Sequence, residues 1–164
     1  MNFSLKILSE HHKAEIEVFF EQASDYAILE SGFSNPQSEA MNLLHDFPDG
    51  KVEQDKFVYG VFSQTNELVG VVDLIKDFPE NNEWMLGLLD FIPSVRHQGL
   101  GKEVHQLLVE QVKSAGGKSL RIGVLHKNTT ALRFWKGLGY QKFKEVMMTF
   151  GAKIQKVDVM RLKV

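Results

Sequence analysis

The chain contains no cysteine. That absence excludes a disulfide framework, a thiolate zinc site, an iron–sulfur cluster and a cysteine nucleophile. No apolar run approaches the ~20 residues that a membrane-spanning helix requires. The opening residues, MNFSLKILSEHHKAE, lack the basic, apolar and small-residue layout of a signal peptide. A soluble cytoplasmic protein with no membrane partner is therefore expected. The glycines match neither G-x-G-x-x-G before an acidic residue nor G-x-x-x-x-G-K-[ST], which disfavours a dinucleotide site and a P-loop. H-E-x-x-H is absent too. His11, His12 and His97 sit in no set with ligand spacing, so no metal is expected. The chain shows no long linker, repeat or low-complexity tract.

What is present is ordinary globular material. Hydrophobic residues make up 43% and charged residues 24% of 164 residues. That fits one domain over residues 1–164, with a core that needs no staples. The net charge of −2 hides an asymmetry. Residues 1–55 carry 11 acidic and three basic side chains, and the other 109 carry 10 acidic and 16 basic. The bias is either the ordinary charge of solvated helix faces or an acidic first third that faces a cation.

Hydrophobic spacing sets a coarse order of elements. Asn2 to Leu8 reads as a strand. Ile16, Phe19, Phe20, Ala23 and Ala27 mark one face of a helix that starts near Glu10. Asn35-Pro36 signals a second helix. Residues 57–62, 68–75 and 83–92 read as strands, the last apolar enough to be central. Leu100 to Val112 forms a helix that stops at Gly116-Gly117. A short buried strand, 120–125, precedes a helix carrying Ala131, Phe134, Trp135 and Leu138. Residues 142–150 and 154–162 close the chain as a hairpin. Lys142, Lys144, Lys153 and Lys156 alternate with apolar residues there, as on the wet face of a sheet, and no nucleic-acid partner is expected. The order β-α-α-β-β-β-α-β-α-β-β implies an α/β fold, a mixed sheet with helices on both faces.

The clearest chemistry lies after the central strand. Ile92-Pro93-Ser94-Val95 leads into Arg96-His97-Gln98-Gly99-Leu100-Gly101-Lys102, which opens a helix. Unpaired N–H groups at a helix start form an anion site, and glycines admit a phosphate close to the backbone. Arg96, His97 and Lys102 add donors. The alternative is a plain strand–helix turn that uses glycine for packing.

Arg96-x-x-Gly99-x-Gly101 resembles the pyrophosphate-binding motif of the GNAT superfamily of acetyl-CoA-dependent N-acetyltransferases. Asn128-Thr129-Thr130-Ala131-Leu132-Arg133-Phe134-Trp135-Lys136-Gly137-Leu138-Gly139-Tyr140 resembles that family's second motif. The resemblance spans nearly the whole chain and implies a mixed, mostly antiparallel sheet. It also implies acetyl-CoA as co-substrate and a small-molecule amine as acceptor. Phe91 and Ile92 then match the strand end beside the pantetheine arm. Arg96, His97, Gln98, Gly99, Leu100, Gly101 and Lys102 match the pyrophosphate loop. Asn128 matches a cofactor contact and is equally a helix N-cap. Phe134 and Trp135 match positions beside the cofactor, and core packing would also explain them.

Two departures bear on mechanism. Many members carry a tyrosine acid where this chain has Trp135, whose indole does not titrate usefully. Some members use a glutamate where this chain has Gly123. The attacking amine must still lose a proton. Glu83, Asp90, Asp73, His126 or a water chain are the candidate bases. A bulge in the central strand would change the face that Glu83 shares. The rival readings are a CoA- or acyl-CoA-binding module with little catalysis, and a protein acetyltransferase acting on a chain terminus or a lysine. Either a monomer or a homodimer fits.

Overall fold

The computed structural model describes residues 2–164. Its strands are β1 (Phe3–Ile7), β2 (Lys56–Ser63), β3 (Leu68–Ile75), β4 (Glu83–Phe91), β5 (Ser119–Leu125), β6 (Gln141–Phe150) and β7 (Lys153–Lys163). They form a mixed sheet in the order β1-β2-β3-β4-β5-β7-β6. Its helices are α1 (Lys13–Gln22), α2 (Asp25–Ser31), α3 (Pro36–His45), α4 (Leu100–Ser114) and α5 (Thr129–Gly137).

Sequence spacing predicts one helix from Glu10 to Ala27, whereas the structure has two. Ala23 takes ψ of 43° and ends α1, and α2 restarts at Asp25. Ala23 is buried beneath the break. The break turns α2 toward β7, where Gln155 Nε2 donates to the carbonyls of Leu29 and Glu30 at 2.9 and 2.6 Å. Tertiary contacts thus override a helical period that is continuous in sequence. The next helix starts where Asn35 predicts, its side chain accepting from the Ser38 N–H at 3.1 Å.

The helices cover both faces. Lys56 and Tyr59, three residues apart on β2, point to opposite faces. Lys56 donates to the Asp46 carbonyl beyond α3, and Tyr59 donates to Gln111 of α4 at 3.0 Å. The α3 end and α4 therefore lie on opposite sides, and α1 packs against α3. Trp135 of α5 meets His105 of α4 edge-on, which puts α5 beside α4. Ile16, Phe19, Leu74, Trp84, Val104, Leu108 and Leu120 are among the fully buried side chains that fill the layers.

Every strand pair is antiparallel except β4–β5. That parallel pair holds for three residues only, Glu83 to Met85 against Ser119 to Arg121. Beyond them β4 carries a bulge. Asp73 faces Leu88 and Leu74 faces Leu86, so Gly87 has no partner on β3. An extra residue bends and twists its strand. Meanwhile β5 stays paired with β7 from Ser119 to Leu125. Residues 86–91 and 122–125 therefore splay apart into a wedge in the middle of the sheet.

Candidate active site

The wedge opens as a cleft of about 930 Å³, walled by the diverging ends of β4 and β5 and by residues of α2, α4 and α5. After Phe91 the chain makes a short turn at Pro93–Val95 and enters α4 through Arg96 to Gly99. His97 and Gly99 both adopt left-handed backbone, with φ of 62° and 86°. Among the described residues no side chain caps α4 at Gly99, and the first-turn residues Gly101 and Lys102 line the cleft. A Cβ on Gly101 would meet Phe134 Cζ at 3.2 Å and Phe91 Cε2 at 3.6 Å. The glycine thus keeps the helix start low against two aromatic rings.

The aromatic wall is held from behind. Trp135 makes edge contacts with Phe134, Tyr140 and His105 at 4.9, 5.2 and 6.0 Å between ring centres. His105 Nε2 and the Tyr140 hydroxyl lie 2.8 Å apart in the core. Burial pushes His105 down to about 4, so it is neutral at physiological pH. Asn128 is an N-cap that also faces the cleft. Its Oδ1 caps α5 by accepting from the Ala131 N–H at 3.2 Å, and the residue lines the cleft.

The opposite wall is acidic. Asp90, the penultimate residue of β4, is largely buried, and desolvation pushes its carboxyl up to about 6 against the opposing pull of Arg96. Its Oδ1 accepts from the Phe91 N–H at 2.9 Å and lies 3.4 Å from Arg96 Nη2. Oδ2 has no protein partner among the described residues. Asp25 of α2 binds the Arg96 fork through both oxygens, at 2.6 and 2.9 Å, and that bonding holds its carboxyl below the usual range. Tyr26 lines the same wall, and burial beside Glu30 raises its phenol. Burial also raises Glu30.

The structure separates the four candidate bases. Asp90 alone among them lines the cleft. Glu83 lies at the closed end of the wedge, roughly 25 Å along β4 from Phe91. There its carboxylate accepts from Arg161 Nε and Nη2 at 2.5 and 3.3 Å. Asp73 sits under the bulge and binds Lys56 at 2.8 Å. Desolvation raises its carboxyl while Lys56 opposes the shift. His126 is half-exposed, with Nδ1 2.9 Å from Asp158 Oδ1 and its backbone N–H on the Lys156 carbonyl. Contact with β7 keeps it off the cleft wall.

The loop residues divide as well. Phe91, Arg96, His97, Gly99, Gly101, Lys102, Phe134 and Trp135 line the cleft. Ile92 and Leu100 are buried in the core, and Gln98 donates to the Ser94 carbonyl at 3.1 Å. Asp25 and Tyr26 are among the cleft residues that spacing missed. Ser24-Asp25 carried the available signal, a polar residue and an acid of the kind that opens a helix. Among the described residues, His126, Glu145 and Asp158 form a trio of metal-ligand type. The Lys142 ammonium bonds Glu145 and lies 3.2 Å from Asp158, so a cation already sits between the carboxylates.

Comparison with known proteins places the fold and the family. An acetyltransferase from Thermus thermophilus superposes with a TM-score of 0.75 at 17% identity, over 100% of this chain and 98% of that one. The ribosomal-protein-S18-alanine N-acetyltransferase from Escherichia coli gives 0.72 at 13% identity, over 99% and 94%. Spermidine N-acetyltransferase from Vibrio cholerae, in complex with CoA and spermine, gives 0.74 at 13% identity, over 98% and 95%. No curated protein matches the chain in sequence. The sequence model of the Acetyltransferase (GNAT) family matches residues 17–140. With the wedge, the glycine loop and the aromatic wall in place, the chain belongs to the GNAT acetyltransferase family and is an acyltransferase.

Proposed function

We propose that the chain transfers an acetyl group from acetyl-CoA to a primary amine by direct attack in a ternary complex. The observation that carries this reading is the two-sided wedge. One side presents the first turn of α4, Lys102 and the Phe134–Trp135 wall. The other presents Asp90 and α2. Both sides border the place where β4 and β5 part, so two substrates entering from opposite sides would meet there.

The residues fit acetyl-CoA. First-turn N–H groups and Lys102 suit a pyrophosphate. Gly99 and Gly101 leave the backbone open to it. The splayed strands offer unpaired backbone to an amide-bearing arm. The Phe91 N–H already serves Asp90, and the Phe91 carbonyl accepts from Arg96 Nε at 2.8 Å. Ile92 N–H donates to Val69 across β3, so alternation turns the Leu89 N–H toward the wedge. We assign that N–H to polarising the thioester carbonyl.

In the reaction a bond forms between the amine nitrogen and the acetyl carbon, and the carbon–sulfur bond breaks. The proton leaves the nitrogen for Asp90, whose Oδ2 is free and whose raised pKa suits a base near neutral pH. The sulfur departs as thiolate, since a thiol pKa of about 8.5 needs little help near pH 8. The acidic first third of the chain, with 11 acidic and three basic side chains in residues 1–55, favours a cationic acceptor. The Vibrio cholerae neighbour is named for spermidine, and the Escherichia coli one for a protein substrate.

Acetyl-CoA consumption against a panel of polyamines, amino acids and peptides tests the reading. Turnover is expected to favour cationic amines over acidic amino acids, with kcat/KM falling as salt rises. Binding of CoA without turnover of any amine would instead support a binding module.

A further inference from the structure

Arg96 opens the glycine loop, where its guanidinium is one of the cationic donors within the stretch that resembles the pyrophosphate motif. The structure engages that guanidinium elsewhere. Nε donates to the Phe91 carbonyl at 2.8 Å. Nη1 and Nη2 donate to the two oxygens of Asp25 at 2.6 and 2.9 Å. Nη2 also lies 3.4 Å from Asp90 Oδ1. The fork is planar and rigid, so a bidentate partner fixes its orientation as well as its charge. Asp25 stands 71 positions earlier in the chain, on the helix that walls the acceptor side. One guanidinium therefore joins α2, the end of β4 and the loop that starts α4.

We propose that Asp25 is a positioning residue for transfer. It holds the Arg96 fork across the end of β4 and off the phosphates, where the fork fixes the Phe91 carbonyl and sets a positive charge beside Asp90. The proposal rests on the reading that acetyl-CoA lies in the wedge and that Asp90 takes the proton. Asp90 cannot substitute for Asp25, because it offers one long contact where Asp25 offers two short ones. The Asp25 side chain is 59% exposed. An exposed pair adds little to folding stability, so its geometry should matter more than its energy.

Asp25→Asn, Asp25→Glu, Arg96→Lys and the double variant Asp25→Asn/Arg96→Lys test this. CoA affinity is read by calorimetry, kcat and KM with the panel amine turned over fastest, and Tm by calorimetric melting. Asp25→Asn is expected to lower kcat by about tenfold or more, since small misplacements at a reacting centre have large effects. Its CoA affinity should stay within about threefold of wild type, and Tm within about 3 °C. Asp25→Glu should recover most of kcat. The double variant should be no slower than the worse single by more than about twofold, because the two residues act as one device. An unchanged kcat in Asp25→Asn would overturn the proposal. So would a fall of kcat, CoA affinity and Tm together, which marks a merely structural pair. A tenfold loss of CoA affinity in Arg96→Lys alone would return the guanidinium to the phosphates and overturn it too. Wild type that fails to bind CoA would overturn the reading of the cleft itself.

Discussion

Gly101 and Phe134 stand so close that a Cβ on the glycine would touch the ring Cζ at 3.2 Å. The contact ties the start of α4 to the aromatic wall across the mouth of the cleft. It also makes Gly101 a sensitive probe of whether a ligand lies against that turn.

Gly101→Val should weaken CoA binding by about 30-fold or more, equivalent to roughly 2 kcal/mol for a lost charge-assisted contact. Gly101→Ala needs the ring to give by only a few tenths of an ångström and should fall between wild type and the valine variant. Calorimetric titration with CoA, alongside circular dichroism to confirm folding, measures both. Equal affinities across the series would remove the pyrophosphate from this loop.

Trp135 should act as a wall and not as a proton donor. Its ring packs on Phe134, Tyr140 and a neutral His105, and its indole has no useful titration. Trp135→Phe should keep kcat within about tenfold. Trp135→Ala should lose about 3–5 kcal/mol of stability through the cavity it leaves. A folded, CoA-binding phenylalanine variant that is a thousandfold slower would show a chemical role for the indole.

Much of this fold is legible in the sequence because its signals are local. The strand over 68–75 is bounded by its own apolar run, and Asn35 and Asn128 cap the helices that follow them. The glycine loop sits where strand and helix patterns meet. What spacing cannot show is long-range. The break at Ala23 follows from contacts made by Gln155 and Arg96 far along the chain. The bulge at Gly87 appears only as a shift against β3. Glu83, Asp73, Asp90 and His126 look equivalent as acids or bases near strand ends. Burial, partners and the wedge distinguish them, and none of these is written in spacing.

The Asp90 carboxyl also leaves a mark on stability. An unfolded aspartate titrates at about 3.9. The folded group is pushed up to about 6, so the folded chain holds this proton more tightly. Its ionisation therefore lowers stability as pH rises from about 4 to 6, by roughly 2–3 kcal/mol in full above that range. Asp90→Asn keeps an oxygen for the Phe91 N–H and cannot ionise. Its Tm should exceed that of wild type by several degrees at pH 8, with the gain gone by pH 4. A lower Tm at pH 8 would mean that Arg96 stabilises the charged form after all.

In the proposed acetyl transfer Asp90 accepts the amine proton within the wedge. The pH dependence of kcat/KM, in wild type and in Asp90→Asn, reads that role. For wild type, log(kcat/KM) should rise with pH and lose one unit of slope on passing about 6, the value to which burial lifts Asp90. Asp90→Asn should bind CoA normally, lack that break, and be slower by about 10²–10⁴-fold, as for the loss of a positioned base. An asparagine variant that keeps both the break and a rate within threefold of wild type would contradict the account.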